Sequence, residues 1–578
     1  MLPRRLLPLV LLALTAVPQA AQADPAPFGH PCTVQNDVRF CPTTDLASRP
    51  LSFDGTPIDV DVTLPATGDG PFPTILLLHG LGGTKLGFEG TGPGDDAAYT
   101  NWFFAQHGYA VMTPTARGFG DSCGKAEAPS DSACANGWTR LGDIRYEVRD
   151  IQTLVGQLVD EGIADPARIG STGISYGGGF STMLGWLKDR VMLPDGSLEA
   201  WTSPKGVPIS LAAAWPRWMW SNGASIFTRN GRAPWSRNPV GITVNSYANG
   251  IFAVAFGGNV APTGGDLSTD ITLWKQQIDT ARIDGAALKT LDNAYRYHGV
   301  AGIAQPPGGP APYLIQQGWT DALFPVGQAL GAYDAIRKAH PQAPVALQLG
   351  DLGHGPGANH PGDTAAFDTQ GLAFFDAWLK GAGTKPAPGS VTAFTMSCPG
   401  SAQNGGGPYS AASYGKLARR SMTISTRKAL TINQDGASQK LAAQIPGLSG
   451  SGALCDARKP DPTSHAKITT VSTGVTLLGQ PVITGIVKTK GTYGQIDARV
   501  WDLDPTANTQ RLITRGVYRL AANQKGRFAF TLDGNGWLFK KGHRIVVELL
   551  GRDSPTYGAS PEPFTATLSA LKVRMPLR

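Results

Sequence analysis

Between about residues 53 and 200 the apolar positions follow two alternating rhythms. Continuous apolar runs of strand length stand at 58–64, 74–78, 109–113 and 168–173. Between them apolar residues recur at helical spacing, as with Ile144, Val148, Ile151, Leu154, Val155 and Leu158 in the stretch from Asp143 to Gly162. Strand and helix in alternation predict a parallel sheet with crossover helices. The run at 74–78, Thr-Ile-Leu-Leu-Leu, reads as a strand covered on both faces and ends in His79-Gly80-Leu81-Gly82-Gly83. The same rhythm returns with strands at 312–317 and 344–349 and helices near 326–339 and 364–380.

Residues 205–300 interrupt the rhythm with Trp215-Pro216-Arg217-Trp218-Met219-Trp220 and helical segments at 268–281 and 284–298. This stretch is expected to form a cap inserted over an active site, its tryptophans either lining that site or filling the cap's own core. After Gly381 helical periodicity fades, and short runs at 480–488, 496–503, 511–519, 527–532 and 543–549 are spaced like the strands of an antiparallel sandwich. The predicted organisation is a catalytic α/β unit over 24–385 and an all-β unit over 386–578.

Export is expected from the first residues. Arg4 and Arg5, an apolar run from Leu6 to Val17 and the small-residue site Ala21-Gln22-Ala23 describe a signal peptide over 1–23 and a secreted product. The run is well short of the roughly 20 residues that span a bilayer, so no membrane span is expected. Six cysteines fall into three sequence-local couples, and proximity predicts Cys32 with Cys41, Cys123 with Cys134 and Cys398 with Cys455. No C-x-x-C spacing points to zinc or redox chemistry, and neither metal nor cofactor is expected. A net charge of +7 without a run of basic residues argues against a nucleic-acid partner.

The pattern Gly-x-Ser-x-Gly occurs twice, so context must choose between the copies. Gly120-Asp121-Ser122-Cys123-Gly124 has no strand leading directly into it and no helical pattern after it, and reads as a loop held by Cys123. Gly173-Ile174-Ser175-Tyr176-Gly177 follows the strand at 168–172 and precedes a predicted helix over 178–187, which is the setting of a nucleophile elbow. A serine hydroxyl needs a base, and the base needs a carboxylate to orient it. Asp321 follows a strand in Gly318-Trp319-Thr320-Asp321, with an Asx turn or helix cap as its ordinary alternative. Of the histidines beyond it, His354 lies in the loop just after the next strand, whereas His340 precedes that strand and His360 is the reserve. Main-chain N–H groups of Leu81 and Tyr176 are the candidate oxyanion donors. Lys85 reads as a solvated charge.

With these residues in view the chain resembles the peptidase family that contains Xaa-Pro dipeptidyl-peptidases, bacterial cocaine esterases and α-amino-acid ester hydrolases. The resemblance rests on Tyr109-Ala110-Val111, on the stretch from Arg117 to Gly124, and on the segments around Ser175 and Asp321. Trp501-Asp502-Leu503-Asp504-Pro505 and Gly542-His543-Arg544 extend it into the second unit. It implies an α/β-hydrolase core with a helical cap, a carboxyl-terminal jelly roll that helps shape the site, and a triad at Ser175, Asp321 and His354. The implied activity is hydrolysis of a small ester or peptide substrate through an acyl-enzyme. Two positions depart from the family pattern. Leu81 or Gly82 stands where a tyrosine hydroxyl usually serves the oxyanion, and Gly350-Asp351-Leu352-Gly353-His354 replaces Gly-Pro-Trp-x-His. A secreted glycan- or cell-wall-binding protein with an inert core is the alternative, opposed by the intact nucleophile, acid and base.

Overall fold

The uninterrupted apolar run at 74–78 is seated in the middle of a sheet. The structure, a computed structural model, describes residues 25–91, 96–128, 132–231, 241–444, 453–464 and 466–578. The expected signal peptide over 1–23 lies outside them. Among the described residues eleven strands join in one sheet. β1 (Thr33–Gln35), β2 (Val38–Cys41) and β3 (Val60–Leu64) make an antiparallel edge. β4 (Phe72–Leu78), β5 (Ala110–Pro114), β6 (Ala164–Ile174), β7 (Leu211–Arg217), β8 (Tyr313–Gly318), β9 (Val345–Gly350) and β10 (Val391–Thr395) run parallel, and β11 (Gly406–Ala411) closes antiparallel. The spatial order is β1-β2-β3-β5-β4-β6-β7-β8-β9-β10-β11. Parallel strands place their carboxyl ends, and therefore their functional loops, on one side of the sheet.

Helical spacing does the rest of the packing. The helix α1 (Glu147–Asp160) buries Val148, Ile151, Leu154, Val155 and Leu158, each contributing about 1.5–3 kcal/mol relative to exposure. Glu147 and Asp150 lie in its first turn, where the helix dipole favours acidic side chains. The following helix, α2 (Tyr176–Leu187), is buried at every position and packs against β6 and β7, so its amino end is fixed in the centre of the molecule.

Three expectations need correction. Residues 211–217, expected in the cap, form strand β7 of the main sheet, so the insertion begins at Trp218 and Trp215 is a core residue of the sheet. The α/β unit does not end at 385, because β10 and β11 extend its sheet to Ala411. The Pro and Gly at 386–389 mark only the loop before β10. Lys85 is no solvated charge: it is 8% exposed, with Nζ 2.7 Å from Asp59 and 2.6 Å from Asp61.

The cap adds α3 (Asn245–Gly257), which the sequence did not announce, to the expected α4 (Ile271–Asp279) and α5 (Gly285–Tyr297). From Arg420 onward a seven-stranded and a four-stranded antiparallel sheet share one core, in which Ile483, Phe530 and Val573 of the first meet Trp501 and Val547 of the second. The structure joins Cys32 to Cys41, Cys123 to Cys134 and Cys398 to Cys455. No described helix is long and apolar enough to cross a membrane.

Candidate active site

Strand β6 ends at Ile174 and α2 begins at Tyr176, which leaves Ser175 at the corner with φ of 56° and ψ of −113°. A non-glycine residue in that region costs on the order of 1–3 kcal/mol and persists only where its surroundings hold it. Here the Ser175 N–H donates to the Arg217 carbonyl at 3.0 Å, and the Ser175 carbonyl accepts from Gly179 N–H at 2.9 Å. Gly177 lets the turn close, because a Cβ there would come within 2.0 Å of the Leu78 carbonyl oxygen.

Asp321 and His354 reach this corner from the loops after β8 and β9. His354 Nε2 lies 2.8 Å from Ser175 Oγ, and its Nδ1 lies 2.9 Å from Asp321 Oδ2. The main-chain N–H of His354 donates to the same Oδ2 at 3.2 Å, while those of Leu323 and Phe324 donate to Oδ1 at 2.9 and 2.8 Å. A carboxylate only accepts, so the imidazole proton sits on Nδ1 and Nε2 is free to accept from the serine hydroxyl. Gly353, at φ of 104°, permits the approach, since a Cβ there would lie 2.5 Å from Asp321 Oδ2. The rings of Phe324 and Trp218 meet the imidazole edge to face, with centroids at 5.1 and 5.6 Å.

The reserve histidine is elsewhere. His360 precedes the helix over 361–379, with Nδ1 2.7 Å from the Ala402 carbonyl and Nε2 3.5 Å from Asp351. Ser122 of the second motif is fully buried, donating to the Thr115 carbonyl and accepting from Asp59 N–H.

Beside Ser175 opens a pocket lined by Leu81, Leu141, Tyr176, Trp220, Ile226, Phe227, Ile251, Trp274, Leu323 and Phe324, with Gly223 and the buried His298. The tryptophan-rich run therefore divides its work: Trp220 lines the pocket, Trp218 flanks His354 and Trp215 packs in the sheet. Sequence reasoning missed Leu141, Ile226 and Phe227, which are ordinary apolar residues brought to the site by the cap and by the loop before α1. The Tyr176 hydroxyl reaches back to Glu147 at 3.4 Å, and burial pushes the Glu147 carboxyl up to about 7.

Leu81 and Tyr176 line the pocket together with Ser175, and no hydrogen bond from either main-chain N–H is found among the described residues. The turn carrying Leu81 is held by His79, a role its sequence did not suggest. Its Nε2 accepts from Ala116 N–H at 2.9 Å and its Nδ1 donates to the Gly80 carbonyl at 2.7 Å. Burial brings the His79 imidazole down to about 4, so it stays neutral and keeps that tautomer.

The family model for X-Pro dipeptidyl-peptidase (S15 family) matches residues 54–356, and that for the X-Pro dipeptidyl-peptidase C-terminal non-catalytic domain matches residues 346–576. No curated protein sequence matches the chain. Among solved structures it is similar to a CocE/NonD family hydrolase from Staphylococcus aureus, at 13% identity over 94% of each chain with a TM-score of 0.59. It is also similar to an α-amino acid ester hydrolase, at 15% identity over 97% of this chain and 100% of that one with a TM-score of 0.61. An aminopeptidase from a marine sediment archaeon, Thaumarchaeota archaeon, aligns at 15% identity over 94% of this chain and 98% of that one, TM-score 0.60. At these identities the structural likeness concerns the fold.

Proposed function

We propose, from the premise that the chain belongs to the X-Pro dipeptidyl-peptidase S15 family, that it hydrolyses esters of apolar carboxylic acids with Ser175 as nucleophile, His354 as base and Asp321 as acid. The family makes it a serine hydrolase acting on ester or amide bonds; the residues and the substrate are our reading. The observation that carries it is the unbroken contact from Ser175 Oγ through the imidazole to the Asp321 carboxylate.

Ser175 Oγ attacks the substrate carbonyl carbon while its proton passes to His354 Nε2. The imidazolium that forms is stabilised by Asp321, which also fixes the ring's orientation. Negative charge gathers on the substrate oxygen, where the N–H groups of Tyr176 and Leu81 serve as donors already in place. His354 then gives its proton to the leaving alcohol or amine as the tetrahedral C–O or C–N bond breaks, leaving an ester on Ser175. Water repeats the sequence through the same base and releases the acid.

The pocket supports an apolar acyl group. Its described lining is aliphatic and aromatic, and contains no carboxylate to receive the free ammonium of an Xaa-Pro peptide. Three disulfides support an oxidising compartment and hence secretion. The test is a paired assay on a p-nitrophenyl acyl-ester series and on Ala-Pro-p-nitroanilide, with Ser175→Ala as control. Ester turnover that Ser175→Ala abolishes supports the reading. Dominant anilide release that requires a free amino terminus would replace it with dipeptidyl-peptidase activity.

A further inference from the structure

We propose that Arg229, held by Asp533 of the carboxyl-terminal β unit, is a positioning residue for Asp321, so that the β unit takes part in aligning the triad. The inference rests on Asp321 being the triad acid. Arg229 stands on a short ribbon of the cap, where Thr228–Arg229 pairs antiparallel with Ile242–Thr243. Its Nη2 donates to the carbonyls of Ala322 and Leu323, the latter at 3.2 Å, and to the Tyr247 hydroxyl at 3.0 Å. Its Nη1 donates to Asp533 Oδ2 at 3.0 Å. The turn that presents its N–H groups to Asp321 is thus held by its carbonyls from the opposite side.

A cleft runs along the junction and is lined by Arg229, Asp321, Ala322, Thr514, Arg515 and Asp533. The guanidinium reaches across it as a planar fork, a geometry that a lysine ammonium cannot reproduce. Asp533 balances its charge, with Arg515 as a second cation close by. The ribbon is itself tied to the β unit, since Thr531 N–H donates to the Gly231 carbonyl at 2.7 Å and Gly558 N–H to the Thr243 carbonyl at 2.8 Å. A chain of contacts therefore runs from Asp533 through Arg229 and the 321–324 turn to Asp321, His354 and Ser175. Loosening its far end shifts the carboxylate under the imidazole.

The test compares the full chain with its Asp533→Asn, Asp533→Glu and Arg229→Lys variants on one p-nitrophenyl ester. Glu562→Gln is the control: its partner Arg282, at 2.5 Å, also joins cap and β unit but at an exposed pair. Each variant is measured for kcat, for KM and for the low-field proton resonance of the His354–Asp321 hydrogen bond. Asp533→Asn and Arg229→Lys are expected to lose on the order of ten- to a hundred-fold in kcat, with a smaller change in KM. Their low-field resonance should be shifted or broadened, Asp533→Glu should restore both readouts, and Glu562→Gln should match wild type. Full kcat in a folded Asp533→Asn or Arg229→Lys variant would overturn the proposal, as would a loss of kcat with an unchanged resonance. If either variant fails to fold, the other and Asp533→Glu decide. Activity that survives in Ser175→Ala would instead overturn the triad itself.

Discussion

His354 Nε2 stands 2.8 Å from Ser175 Oγ although 179 residues of chain separate them. The contact follows from topology. Strands β6, β8 and β9 are parallel members of one sheet, and the elbow, the Asp321 turn and the His354 loop all leave from their carboxyl ends. Three loops that are remote in sequence then share one rim.

Replacing Asp321 by Asn tests the role of the carboxylate. An amide would present a donor or a poorer acceptor to His354 Nδ1, and the base would lose the tautomer that accepts from Ser175. Asp321→Asn is expected to lower kcat about 10⁴-fold and to leave KM for a p-nitrophenyl ester nearly unchanged. Steady-state kinetics on the folded variant check this, and a loss below ten-fold would remove Asp321 from the triad.

On the proposed reading, the pocket wall sets acyl length. Ile226 lines it and is nearly buried, so Ile226→Phe takes space from the acyl group rather than from solvent. A methylene of fit in an apolar pocket is worth about 10–200-fold in discrimination. The variant should keep acetyl-ester turnover and lose on the order of ten-fold in kcat/KM for longer chains. An unchanged chain-length profile would place the acyl group elsewhere.

A pH dependence of stability follows from Glu89. Burial, and then the negative charge of Asp61, raise its carboxyl well above the ordinary range, and it bonds to Thr113 at 2.7 Å. The native state therefore holds a proton that the unfolded chain releases near pH 4.3, the ordinary glutamate value at about that figure. Its contribution is fully present below the unfolded value and is lost as pH rises from there to about 8, the folded-state value. Glu89→Gln mimics the protonated form. Its thermal midpoint should match wild type near pH 4, exceed it increasingly up to about pH 8 and keep that lead above it, and parallel curves would contradict the assignment.

The parts of this molecule that were legible in its sequence are the local ones. Strand, turn and helix succeed one another around Ser175 within about twenty residues, and each of Asp321 and His354 follows directly on a recognisable strand. Trp215 opens a tryptophan cluster and so reads as cap, yet the apolar run 211–216 belongs to a strand that pairs between β6 and β8. The pairing of Lys85 with Asp59 and Asp61 was hidden because the carboxylates come from the β3 region, more than twenty residues earlier. Leu141, Ile226 and Phe227 carry no signal of their own, since an apolar residue lines a pocket or a core according to where the cap settles. The Arg229–Asp533 pair spans 304 residues and two units, a relation that no window of sequence contains.

The most direct measurement is the site of reaction with a fluorophosphonate probe. The purified chain is labelled, digested and mapped by mass spectrometry, with Ser175→Ala and His354→Ala alongside. A single adduct on the peptide containing Ser175, absent from Ser175→Ala and strongly slowed in His354→Ala, is the predicted result. An adduct on Ser122 or any other residue, or none on an enzyme that still turns over esters, would contradict it.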